Sequence, residues 1–273
     1  VSGLMIKKVL FSLCACLVLA NLSNSNLSNN ASAAVLRVLV KEENNSQMPI
    51  AVTQPATLTT ENNSEPITLN PGRWYNLSKA RVIVIKPSNN GLTQVGNRLY
   101  PGDIEIRSWR GKAIAVNILP IEEYLRSVVP SEMPASWHID ALKAQAVAAR
   151  SYAINTQRQR KWGTAPYDLV SDTRDQVYSG FFKFDPKRPN PIPVIHDNSD
   201  LAVSTTAGYI LRDGFKGYYR ASLPVSWISW GNGFMPVSDG KHLDQKISQQ
   251  MAQRGWNWVQ ILAWWYRDEP ISQ

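Results

Sequence analysis

Cysteine is all but missing from this chain of 273 residues. There are two, Cys14 and Cys16, and both lie inside the apolar run from Val9 to Ala20. From residue 34 onward there is none, which excludes disulfides, thiolate nucleophiles and cysteine-held metals there. Histidine is scarce as well. His138, His196 and His242 are the only three, and their spacings fit no metal-ligand pattern, so no metal or other cofactor is expected. Glycine-rich phosphate loops and nucleophile elbows do not occur. No basic run or arginine-rich helix is present, so nucleic acid is not an expected partner. The apolar run of twelve residues is too short to span a membrane.

What is present reads as a folded protein. Hydrophobic residues make up 44% and charged residues 18%, and the length suffices for a sizeable core. The formal net charge is +8, and +6 without Lys7 and Lys8 of the leading segment. That balance suits an acidic polymer such as a cell-wall polymer, or serves solubility alone. Met5-Ile6-Lys7-Lys8, the apolar run and Ala31-Ser32-Ala33 follow the order of a bacterial secretory signal. Leu17-Val18-Leu19 follow the two cysteines, which argues against lipidation. Residues 1–33 are therefore expected to be a signal peptide. The expected location is the periplasm, cell wall or extracellular space, with no stable membrane anchor after cleavage.

Residues 34–99 read as a β-rich N-terminal region. Strand-like segments occur at 35–40 and 80–85 and, just beyond it, at 103–109 and 113–116. Asn89-Asn90-Gly91 and Arg110-Gly111-Lys112 are expected turns. The Asn-, Ser- and Thr-rich stretch 44–70 holds only two short β-prone pieces. From Pro120 the periodicity changes to helical: Ile121, Leu125 and Val128 make one stripe, and Pro130 is expected to end that helix. A second helix is expected from about Ile139 to Arg158, with Ala146, Ala149 and Ala153 on its core face. Further on come a polar strand-loop at 167–178, a surface loop at 181–193, a helix at 200–206 and a strand at 209–211. The tail 242–266 reads as two helical pieces broken at Gly255. The expected fold class is α+β, a β-rich N-terminal part followed by a mixed helical/β domain over residues 100–273.

Glu132 lies between Pro130 and Pro134, followed by Met133 and Trp137. A carboxyl walled by apolar groups keeps its proton and suits a general acid. Two bland roles compete: capping the next helix, or an ion pair with Arg150.

Here the residues carry a family pattern. Val116 to Pro120, Glu123-Tyr124-Leu125, Val128 to Trp137 and Ala141 to Ala153 closely resemble the SpoIID/LytB family. Asp172 to Gly180 and Thr206 to Leu211 resemble its next two blocks, so that the resemblance covers roughly residues 100–266. Two blocks depart from the pattern. Tyr218-Tyr219-Arg220-Ala221-Ser222 lacks the double glycine that follows in the family, and only Gly240 and Gln245 fit the glycine-rich block before the last helix.

The resemblance implies an enzyme, a lytic transglycosylase cutting peptidoglycan glycan strands, with Glu132 as the catalytic residue and the domain SpoIID/LytB-like. The alternative it implies is a non-catalytic wall-binding enhancer of a cell-wall amidase, which would make that amidase a partner. The cysteine-held zinc of some sporulation members does not carry over. Arg150 and Gln145 are candidate substrate-binding residues from the alanine-rich helix, with a plain ion pair as the other reading of Arg150. Asp172, Asp175 and Gln176 are candidates for sugar hydroxyls or for turn bracing. Tyr178 is a candidate for stacking on a sugar or for core packing. The tryptophan-rich tail reads as core, with part of that face open to glycan stacking.

Overall fold

The computed structural model describes residues 34–61, 63–79, 82–212, 217–222, 227–230, 233–267 and 270–273. The expected signal peptide, both cysteines, the start of the 80–85 segment and residues 223–226, where the family's double glycine is missing, lie outside the described residues.

The fold is α+β, with its β-rich part first. In chain order the strands are β1 Val35–Glu43, β2 Gln47–Val52, β3 Ala56–Thr60, β4 Asn63–Leu69, β5 Tyr75–Ser78 and β6 Ile83–Pro87. There follow β7 Thr93–Val95, β8 Arg98–Tyr100, β9 Asp103–Trp109, β10 Lys112–Pro120, β11 Leu169–Val170, β12 Phe182–Lys183 and β13 Ile192–Pro193. Of the two largest sheets, one runs β11-β1-β10-β9-β6-β3-β4 and the other β13-β12-β8-β7-β2-β5. Both sheets therefore take strands from either side of residue 100. The polar stretch 44–70, read as holding two short β-prone pieces, supplies three strands. Threonines and a buried alternation (Met48, Ile50, Val52) outweigh its asparagines. The expected surface loop at 181–193 likewise contributes β12 and β13.

The turn between β9 and β10 needs two residues in the left-handed region, and Arg110 (φ 48°) and Gly111 (φ 82°) adopt it. Trp109 pairs with Lys112 across it, which makes a two-residue hairpin. β10 is covered on both faces. Ala113, Ala115 and Leu119 join the main core, while Ile114 and Val116 pack with Leu39 and Val170 in a smaller cluster.

β10 runs straight into helix α1, Ile121–Glu132. Its first amide hydrogen bonds back to Ala34, so the start of β1 fixes the helix origin (2.8 Å). Pro130 does not end α1 but lies inside its last turn. A proline there removes one amide donor, yet the turn closes through Met133 N–H to the Val129 carbonyl (2.9 Å). Glu132 is thus the last residue of a helix rather than part of the connector.

Helix α2, Ile139–Arg158, is the centre of the second half. Ala141, Ala144, Ala146, Ala148, Ala149 and Ala153 are all fully buried, which lets neighbouring backbones come close on several sides. A helix buried all round is a core helix. Against it pack α1, α3 (Asp197–Thr205), α4 (Gln245–Gln253) and α5 (Trp258–Trp265). The tail differs from its expected form at its start. His242–Asp244 is a strand, paired in parallel with Tyr218–Arg220, and only then does α4 begin. Gly255 (φ 88°) makes the expected break.

Candidate active site

The end of α1 carries Glu132, half-buried, and the connector after it is clamped. Asn198 of α3 donates to the carbonyls of Ala135 (2.8 Å) and Trp137 (3.0 Å). The amide of His138 donates to Gln249 of α4 (2.8 Å). Prolines alone do not make this connector rigid; two neighbouring helices hold it.

Four groups converge on the Glu132 side chain from different elements. The Val177 amide donates to Oε1 at 2.9 Å. The side chains of Gln245, at the start of α4, and Tyr219, from the strand 218–220, face it as well and favour its charged form. Tyr124, fully buried one face round on α1, stands close enough to feel its charge. Burial raises the Glu132 pKa above the ordinary 4.5, and the Val177 amide with the Gln245 and Tyr219 side chains, which favour the carboxylate, only partly offset it. The result is a carboxyl that keeps its proton further up the pH scale than a surface glutamate.

What Tyr219 can offer Glu132 follows from an inventory of donors. Both Nε2 protons of Gln176 are in use, one on the Ala149 carbonyl (3.1 Å) and one on the Tyr219 hydroxyl (3.0 Å). Tyr219 therefore accepts from Gln176 and has its own proton to give to Glu132. Gln176 Oε1 accepts in turn from the Tyr124 hydroxyl (3.1 Å).

The other sequence candidates divide sharply. Arg150 is fully buried and its fork grips Glu122, Nε to Oε1 at 2.9 Å and Nη2 to Oε2 at 2.7 Å, with a further bond to the Tyr209 carbonyl (3.0 Å). Neither Glu132 nor solvent meets it. Asp175 has no exposed side chain and gathers four donors: Lys161 (2.6 Å), Tyr152 (2.9 Å), Trp162 (2.8 Å) and the Val170 amide (2.8 Å). Tyr178 is buried, and its hydroxyl donates to Asn117 (2.7 Å). Asp172 is exposed and paired with Arg174 beside it (2.7 Å). Gln145 is fully buried, with its Oε1 accepting from Gln245 (3.3 Å).

Residues 175–179 thus form a strap across α1 and α2. Asp175, Gln176, Tyr178 and the Ser179 amide each anchor it, the last on Ser127 (3.1 Å), and the anchoring delivers the Val177 amide to Glu132. Of the sequence candidates, Gln176 and Gln145 join Glu132 through one intermediate residue each. Arg150 does not join it.

Tyr219 and Gln245 were missed as partners of the acid. Both lie in the two blocks that depart from the family pattern, and Gln245 was one of two positions there that still matched. The parallel pairing of Tyr219 with Leu243 brings the two degraded blocks side by side. What remains of them still sets two polar side chains, Tyr219 and Gln245, beside Glu132. Among the described residues, a cavity of about 260 Å³ lies elsewhere, between Arg160, Trp162, Tyr167 and Asp168, and none of the groups around Glu132 lines it.

An α+β protein with one proton-retaining carboxyl at a helix end, strapped by a buried amide and tyrosine network, is the class so defined. Residues 110–212 match the family described as SpoIID: Stage II sporulation protein. Over those residues the chain is similar to the SpoIID family. Stage II sporulation protein D of Bacillus subtilis (strain 168) is 30% identical over 159 residues, which is 58% of this chain and 44% of that protein. The amidase enhancer of the same organism is 38% identical over 109 residues, 40% of this chain and 12% of that protein. An uncharacterized protein of Brachyspira hyodysenteriae is 37% identical over 97 residues, 36% of this chain and 26% of its own length. The chain thus spans less than half the length of each of these relatives.

Proposed function

We propose that this is an exported, cell-wall-related protein that cleaves peptidoglycan glycan strands as a lytic transglycosylase, with Glu132 as general acid and then base. The observation that carries the reading is the Glu132 environment, a half-buried carboxyl with its pKa raised by burial, inside the family-matched region. Glu132 gives its proton to the oxygen of the β-1,4 bond between the two wall sugars. The C6 hydroxyl of the muramic acid attacks its own anomeric carbon as that bond breaks. The hydroxyl proton passes to the Glu132 carboxylate, which restores the acid. No water is consumed and no second carboxylate is needed, in contrast to ordinary glycoside hydrolysis. Asp175 is tied to four donors and so does not supply a second free base.

The export reading rests on the leading segment, Met5 to Ala33. The second reading is a non-catalytic enhancer of a cell-wall amidase, favoured by the similarity to a protein named amidase enhancer. Purified protein on peptide-free glycan separates the two, with mass spectrometry for 1,6-anhydro ends. The enzyme reading expects those ends, and expects Glu132→Gln to lower their rate by about 10²- to 10⁴-fold. Absence of anhydro product from the wild type, with stimulation of an added amidase, gives the second reading.

A further inference from the structure

The hollow between residues 160 and 168 lies away from the groups around Glu132, and its frame keeps it open. Its volume is about 260 Å³, room for one sugar ring, and Arg160, Trp162, Thr164, Tyr167 and Asp168 are among its walls. Both ends of the loop are pinned. Trp162 Nε1 donates to Asp175 (2.8 Å). At the other end Arg37 of β1 accepts the Asp168 amide on its carbonyl (2.7 Å). It also donates its own amide to Asp168 Oδ2 (2.9 Å) and its Nε to the Pro166 carbonyl (2.8 Å). A hollow formed in advance spares a ligand the cost of ordering the loop.

Arg160 stands where the backbone favours glycine. Helix α2 ends in a Schellman turn: the Arg160 amide donates to the Gln157 carbonyl (3.1 Å) and the Lys161 amide to the Thr156 carbonyl (3.3 Å). The residue after the cap is then left-handed, with φ 48° for Arg160, a conformation that disfavours a side chain and costs glycine nothing. The chain keeps an exposed arginine there, on the wall of the hollow. Asp168 brings the opposite charge. Its Oδ2 accepts from the Arg37 amide and from Gln157 (2.9 Å each), and its Oδ1 has no partner among the described residues.

These walls match an uncharged sugar. One guanidinium and one carboxylate balance, so a strongly charged ligand gains little, while both planar groups can pair with adjacent hydroxyls. Lys161 and Arg174 stand over the Trp162 ring, 5.6 and 5.4 Å from its centre. That leaves Tyr167, tilted 58° to Trp162, as the ring for the C–H face of a pyranose. We propose that the hollow is a sugar-holding site separate from Glu132, taking an N-acetylglucosamine unit of wall glycan. This rests on wall glycan as the ligand, which the enzyme and the enhancer readings share.

The probe is the β-1,4-linked tetramer of N-acetylglucosamine, titrated into nitrogen-15-labelled protein and followed by NMR. The Trp162 indole and the amides of Thr164, Ala165 and Tyr167 should shift saturably. Arg160→Gly should weaken that binding about tenfold without lowering the urea midpoint, whereas a purely structural arginine would leave binding alone. Thr164→Trp, at an exposed position, should fill the hollow and abolish the shifts. Unmoved signals in the wild type overturn the proposal, as does wild-type affinity in either variant. Shifts at the hollow in a protein that makes no anhydro ends support this site and leave the enhancer reading. Anhydro product with unmoved signals overturns this site alone.

Discussion

At the scale of single residues, the chemistry of Glu132 is a contest between burial and hydrogen bonds, and burial wins. That outcome has a consequence for stability that needs no substrate. In the native state Glu132 holds its proton at pH values where the unfolded chain, with an ordinary glutamate at 4.5, has released it. Between 4.5 and the raised native value the native state binds more protons, so stability falls as pH rises through that window. Below 4.5 both states are protonated and the contribution is level. Glu132→Gln has no proton to lose. Its unfolding free energy should therefore gain on that of the wild type as pH climbs above 4.5, and then run parallel once native Glu132 has also ionised. Urea unfolding at a series of pH values measures the difference. A difference independent of pH would mean that Glu132 titrates normally. The Pro-Ser-Glu-Met-Pro spacing made this residue conspicuous in the sequence. Its partners were not conspicuous, because Tyr218 and Tyr219 are adjacent and only the strand's alternation decides which faces inward. Tyr219 turns to the acid, while Tyr218 stays 36% exposed.

At the scale of elements, the site depends on how closely the strand 218–220 lies on α2. Gly217 permits that approach. It has φ 57°, and a Cβ there would collide with the Ala148 carbonyl and stand 3.1 Å from the Ser151 Cβ. Backbone cannot yield as a flexible side chain does, so Gly217→Ala pushes the strand off the helix and takes Tyr219 with it. The expected cost is about 1–3 kcal/mol from overpacking, with left-handed strain in addition. Anhydro product should fall with it, and the Glu132 midpoint should rise as Tyr219 withdraws. A Gly217→Ala protein with wild-type stability and midpoint would show that the close approach is not needed.

The second element-level device is the Arg150–Glu122 pair, which ties α2 to α1 and to the Tyr209 carbonyl. Arg150 is fully buried and the Glu122 side chain is 23% exposed. Arg150→Met leaves that carboxylate without its fork, and the expected loss is about 3–5 kcal/mol by urea unfolding. Double substitution, Arg150→Met with Glu122→Gln, should recover part of it, because no charge is then stranded. The sequence put Arg150 on the right helix, but offered substrate, Glu132 or a loop acid as what its fork would meet. The partner is Glu122, ten positions before Glu132 on the same helix, and only the packing angle selects between the two. Pro130 misled for a related reason: a proline in a last turn forfeits one bond that the turn can replace.

At the scale of the whole molecule, the N-terminal strand is what a linear reading undervalues. The family match begins at residue 110, and the composition changes near residue 100, so the chain invites division there. The helical pattern of α1 and α2 was legible because i, i+3, i+4 periodicity is local. The pairing of β1 was not, because its partners are far along the chain. Val35 to Glu43 run antiparallel to β10 from Pro120 to Ala113, and Val38 and Leu39 pair in parallel with Leu169 and Val170. Leu36 and Val38 are fully buried, in the same core as the helices that hold Glu132. The Arg37 side chain closes the arrangement, donating to Glu105 at 2.7 Å and to the Pro166 carbonyl at 2.8 Å. A fragment of residues 100–273 would retain every residue named around Glu132. It would also present β10 as a bare apolar edge and leave α1 without the Ala34 carbonyl at its start. Such an edge pairs with other chains rather than with water. The fragment is therefore expected to aggregate or to lack a cooperative unfolding transition. The chain from residue 34 should unfold in one step, and a synthetic peptide of residues 34–43 added during refolding should restore part of the fragment's order. Circular dichroism during urea titration reads all three. A fragment 100–273 that unfolds cooperatively at the same midpoint as the longer chain would mean that the half carrying Glu132 stands without β1.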